Sequence, residues 1–199
     1  YLAHKITTGV LEDLRFNLGS IEYTDRIGEE VGNMYEDYVW DKIDSIYNQG
    51  TINRAFNESY KNTEIADAVI DYGEDLIFIE VKAMFIQKKY RLSAEYKSIE
   101  RGLKKFLINK GAKQLNDRID EFKKGKIKIK EIDENNIKRY WPILITCTDE
   151  IPLVEILEEE YQNILNKYDI LQDSYVKPLT IINLEELMTL LEYIKKGIS

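Results

Sequence analysis

From Ile27 to about Ile46, apolar side chains recur at Ile27, Val31, Met34/Tyr35, Tyr38 and Ile43/Ile46, the period of an amphipathic helix. From Ala66 to Ala83 the pattern changes. Two runs rich in β-branched residues flank Tyr72-Gly73-Glu74-Asp75, whose composition favours a tight turn, so this segment reads as a β-hairpin. Ser93 can cap a long helical stretch in which Ile99, Leu103, Phe106/Leu107, Leu115, Ile119 and Phe122 keep helical spacing, with Gly111 as the point of interruption. Apolar and polar residues alternate from Lys126 to Ile132. A polar turn, Asp133-Glu134-Asn135-Asn136, then leads into a buried strand at Tyr140 to Thr146, with Pro142 near its start. Pro152 to Tyr168 reads as helix, Leu179 to Ile182 as strand, and Asn183 with Glu186 as a capping box opening a final helix. Helix, strands, helix, strand, helix, strand, helix predicts an α/β core with a mixed central sheet flanked by helices.

A chain of 199 residues suits one domain with a substantial core. The reading divides it into residues 1–24, an N-terminal segment, and residues 25–199, the folded domain. Its first residue is Tyr1 rather than Met, which points either to a piece of a longer polypeptide, with room for further domains or partner subunits, or to a chain whose start is omitted. No run approaches the roughly 18 consecutive apolar residues of a membrane span, so no membrane partner is expected. Cys147 is the only cysteine, which excludes an intramolecular disulfide, and no signal-like leader opens the chain; a cytoplasmic location is expected.

The net charge of -8 conceals an uneven distribution. Between Lys88 and Lys130 there are 15 Lys or Arg against 5 Asp or Glu, so a basic segment sits within an otherwise acidic chain. It is either a solvated helix face or a surface for phosphates.

The chemistry centres on the hairpin. Pairing its strands about residues 72–75 sets Asp67 opposite Glu80, and directly opposed carboxylates repel. A divalent cation is the most economical compensation, because converging hard oxygens suit Mg²⁺ or Mn²⁺. Asp71 is a poorer ligand, facing Leu76 at the turn. The period of two places Glu80 and Lys82 on one face and Ile77, Ile79 and Val81 on the other. A lysine there can orient or, as the neutral amine, help deprotonate an attacking water, or as the ammonium stabilise charge developing on a phosphate. The carbonyl of Val81 projects toward the same edge and can supply an oxygen ligand.

Ala66-Asp67, a turn, and Ile79-Glu80-Val81-Lys82-Ala83 resemble the signature of the PD-(D/E)xK, restriction-endonuclease-like nucleases, with Ala66 where Pro is common. The resemblance implies a restriction-endonuclease-like core and a Mg²⁺-dependent nuclease, with Mn²⁺ able to substitute, acting on DNA in preference to RNA. It implies functional roles for Asp67, Glu80 and Lys82. It adds Glu36, like the acidic residue many members carry on their first core helix, and Gln114, like the glutamine of a later helix. The similarity covers roughly Gly32 to Leu115. Taken by itself, Glu36 has only small or apolar stripe neighbours, Gly32, Val39, Trp40 and Ile43, so it either rims the helix in water or points inward to a cation.

Other chemistries find little support. His4 is the only histidine and lies in a peripheral segment, which disfavours His-based triads and zinc centres. Cys147 follows a buried strand and reads as an inert core thiol. No P-loop or dinucleotide fingerprint is present. Two rival readings remain: a catalytically silent nuclease-fold module for nucleic-acid binding or assembly, and an unrelated α/β protein whose hairpin carboxylates diverge.

Overall fold

The computed structural model describes residues 21–48, 53–60, 63–82, 108, 110–146 and 162–197. Helix α1 (Ile21–Tyr47) runs through the position at which the N-terminal segment was divided from the domain. Its packed line follows i, i+4 spacing through Tyr35, Val39, Ile43 and Tyr47. Met34 and Tyr38, placed on the apolar stripe by spacing alone, are instead 69% and 43% exposed. A helix buries only the arc that meets a neighbour, and these two lie to one side of it.

Strands β1 (Arg54–Phe56), β2 (Ser59–Tyr60) and β3 (Thr63–Glu64) follow. The expected hairpin is formed by β4 (Ala68–Asp71) and β5 (Asp75–Lys82), with Ala68 opposite Ile79 and Asp71 opposite Leu76. Gly73 takes φ +81°, a left-handed conformation that glycine adopts without steric cost. Asp71 steadies this turn by accepting the Gly73 N–H through Oδ1 at 2.7 Å.

Helix α2 (Lys113–Lys123) is entered through a π turn at 110–112, so the interruption expected at Gly111 is present. Gly111 lies against Leu144: a Cβ there would sit 2.7 Å from the leucine Cδ1. Strand β6 (Arg139–Thr146) pairs parallel with β5, and β7 (Thr180–Asn183) parallel with β6; α3 (Leu184–Lys195) then closes the chain. Its N-terminus carries the full Asn183/Glu186 capping box.

Two stretches behave differently from simple strand patterning. The alternation at residues 126–130 buries Ile127 and Ile129 and exposes three lysines, yet no strand pairs there; Lys126 N–H instead donates to the Glu121 carbonyl at 2.8 Å. Pro142 sits inside β6. Tyr140 N–H donates toward the later chain, to the Tyr175 carbonyl, and the N of Pro142 two residues on falls on that same side. Pairing with β7 starts only at Ile143, so the missing N–H breaks no ladder bond.

The result is an α/β fold with a five-stranded mixed sheet in the order β1-β4-β5-β6-β7, flanked by helices. Alternation along β5 divides the core. Leu76 and Phe78 pack with Leu115, Ile119 and Phe122 of α2 and with Leu165 of the helix at 162–167. Ile77, Ile79 and Val81 pack on the other face with Val39 and Ile43 of α1 and Leu187 and Leu191 of α3. Among the described residues no helix is long and apolar enough to cross a membrane. The Ser93 cap, the helical positions 99–107, Cys147, the helix start at Pro152 and His4 lie outside the described residues.

Candidate active site

The hairpin register would next set Asp67 against Glu80 and Ala66 against Val81, but β4 begins only at Ala68. The ladder stops one rung early. Val81 N–H therefore has no backbone carbonyl of β4 to meet and donates to Oδ2 of Asp67 at 2.5 Å. In a strand the N–H and C=O of one residue point to the same side, so the Val81 carbonyl is directed toward this edge as well.

Asp67 and Glu80 are 6% and 4% exposed. Carboxylates are almost never buried so fully without partners. Lys82 is the first partner: its Nζ pairs with Oε1 of Glu80, which places both residues on one face as the period of two requires. Along that face Glu80 lies beside Leu144 and Lys82 beside Thr146 of β6.

Four side chains influence one another's ionisation here. Burial, then the neighbouring Glu80 charge, raises the Asp67 pKa from 3.8 to about 8; the Val81 N–H and Lys82 act the other way, and Glu36 adds to the rise. For Lys82, burial alone would lower the pKa, but Glu80, Asp67 and Glu36 together raise it above 10.5. Glu36 thus acts electrostatically on both Asp67 and Lys82 from a partly buried position on α1. Asp67, Glu80 and Glu36 beside one ammonium give the edge an excess of acidic groups, which a divalent cation would offset once Asp67 is deprotonated.

The donor set suits such an ion: hard carboxylate oxygens at one partly dry edge, with a backbone carbonyl beside them. Asp67 and Glu80 would hold it, with Val81 contributing its carbonyl. Among the described residues no group of three or more His, Cys, Asp or Glu side chains is close enough to form a complete cage. Mg²⁺ characteristically keeps several waters and takes one or two protein carboxylates, so the pair fits that habit.

Gln114 is placed elsewhere. It is exposed near the start of α2 and lines a surface depression of about 300 Å³ with Asp117, Arg118, Asp120 and Glu121. Among the described residues no hydrogen bond joins it to Asp67, Glu80 or Lys82. Thr146 is the neighbour the sequence reading did not single out. It is buried beside Lys82 at the end of β6 and donates its hydroxyl to the Ile182 carbonyl at 3.4 Å. The only signal for it was a polar residue ending an apolar strand.

The described end of the basic segment is partly neutralised. Lys113, Arg118 and Lys124 pair with Asp117, Glu121 and Asp120 on the same helix, and Lys123 pairs with Asp173. Lys126, Lys128 and Lys130 are exposed and form no ion pair among the described residues. Residues 88–107 of that segment lie outside the description. Comparison of the chain with protein-family models, with curated proteins and with solved structures finds no match.

Proposed function

We propose that this chain is a divalent-metal-dependent nuclease domain of the PD-(D/E)xK kind, with a restriction-endonuclease-like core, hydrolysing phosphodiester bonds in DNA in preference to RNA. The observation that carries the reading is the burial of both Asp67 and Glu80 at the end of the hairpin, with Lys82 bonded to Glu80. When bound, Mg²⁺ or Mn²⁺ would neutralise phosphate oxygens and acidify the attacking water. Asp67, oriented by the Val81 N–H, and Glu80 hold the cation; Lys82 positions the water or meets charge developing on the phosphate. Glu36 adds negative potential that favours cation binding. Gln114, exposed on α2, is left a role at the substrate rather than at the metal.

The test is incubation of the purified chain with plasmid and single-stranded substrates, with and without Mg²⁺ or Mn²⁺. Cleavage should require the metal and be abolished by Glu80→Ala and by Lys82→Ala, with circular dichroism unchanged. Metal-stimulated cleavage that survives Glu80→Ala would sink this assignment. A second reading, a module that binds nucleic acid without cutting it, draws on the incomplete ligand cage among the described residues. It expects metal-independent binding and no cleavage by any variant.

A further inference from the structure

We infer that Lys82 is the resident counter-ion of Glu80 and competes with a divalent cation for its carboxylate, so that loading the site requires the ammonium to leave. This rests on the metal-site reading above. Lys82 Nζ is bonded to Glu80 Oε1, and the side chains are only 20% and 5% exposed, so water screens the pair weakly. An ammonium and a dication drawn to the same buried carboxylate repel each other at a few ångströms, where that repulsion is large against thermal energy.

Asp67 and Glu80 are held differently. Asp67 is fixed by a backbone N–H, which carries no net charge and can remain when a cation arrives. Glu80 is held by a flexible four-carbon side chain whose ammonium can swing away while its stem stays packed. The released ammonium can then meet a phosphate brought to the edge. Loading and arming of the lysine become one event: without metal Lys82 is occupied with Glu80, and with metal it is available to substrate.

Mn²⁺ affinity measured by titration calorimetry on the whole chain tests this without relying on cleavage. Parent and variants are compared at one neutral pH and in one buffer. Lys82→Met should bind Mn²⁺ roughly tenfold more tightly than the parent or better, while Lys82→Arg, which keeps the charge, should not gain. Lys82→Gln replaces the methionine variant if that one fails to fold. Parent binding with equal or weaker affinity in the neutral variants would overturn the competition while leaving the metal site standing. No Mn²⁺ binding by the parent or any neutral variant would remove the metal site, and the competition with it.

Discussion

Asp67 shows what it costs to place a carboxylate at a dry edge. Its proton is held to about pH 8 in the folded chain against 3.8 when unfolded, chiefly through burial and the adjacent Glu80. Between those values the folded state binds the extra proton, so its stabilising contribution is complete below the unfolded pKa and is lost as pH rises through the folded one. With EDTA present, the melting temperature should therefore fall by several degrees from mildly acidic to mildly alkaline pH. About 1 kcal/mol moves the midpoint of a domain this size by roughly 2–4 °C. Asp67→Asn should flatten that slope, and a slope unchanged by the substitution would refute the link. At this scale the hairpin register as far as Ala68 opposite Ile79 and the shared face of Glu80 and Lys82 were legible, because a strand's period of two is strict. The Val81 to Asp67 hydrogen bond was not, since the pattern of residues does not say where a ladder stops.

Where the turn that leads into α2 passes β6, Gly111 lies directly against Leu144. A Cβ there would press on Leu144, which is fully buried and has nowhere to yield. Gly111→Ala gains up to about 1 kcal/mol in backbone propensity. Overpacking a filled core costs typically about 1–3 kcal/mol, so a net loss of stability is expected. Combining it with Leu144→Val should recover part of that loss, a coupling that urea unfolding of the two single variants and the double variant would reveal. Additive losses would mean that the two residues do not press on each other. The interruption at Gly111 was readable from the sequence, but its reason was not: the contact spans distant parts of the chain. The same limit explains residues 126–132, where alternation reflects two isoleucines anchored in the core rather than a strand.

For the whole molecule, the surplus of acids makes any phosphate-binding surface local. The sequence marked one continuous basic segment, whereas the fold spends several of its cations internally. Lys123 is paired with Asp173 and lies over the Tyr140 and Tyr175 rings, at 5.9 and 5.5 Å from their centroids. Lys123→Glu should therefore lower stability. Reversing Lys126, Lys128 and Lys130 together should leave the melting temperature nearly unchanged but weaken duplex DNA binding for all sequences. Each lost phosphate contact should reduce the log-log salt slope by about 0.9. Binding indifferent to salt and to the triple reversal would make those lysines merely solvated. Periodicity made the mixed sheet and the two faces of β5 legible, whereas the strand order and the short strands β1, β2 and β3 were not.

The early end of the β4–β5 ladder also bears on how the chain reaches its native state. Asp67, Glu80 and Lys82 belong to one short hairpin whose partners are close in sequence, and such hairpins zip in about 1–10 μs, before distant parallel strands can be recruited. Two like charges are then drawn together before the core surrounds them. Continued pairing would bring Asp67 fully alongside Glu80, and the end of the ladder at Ala68 spares the hairpin that rung. The centre proposed to perform the chemistry is thus also the point at which the hairpin stops zipping.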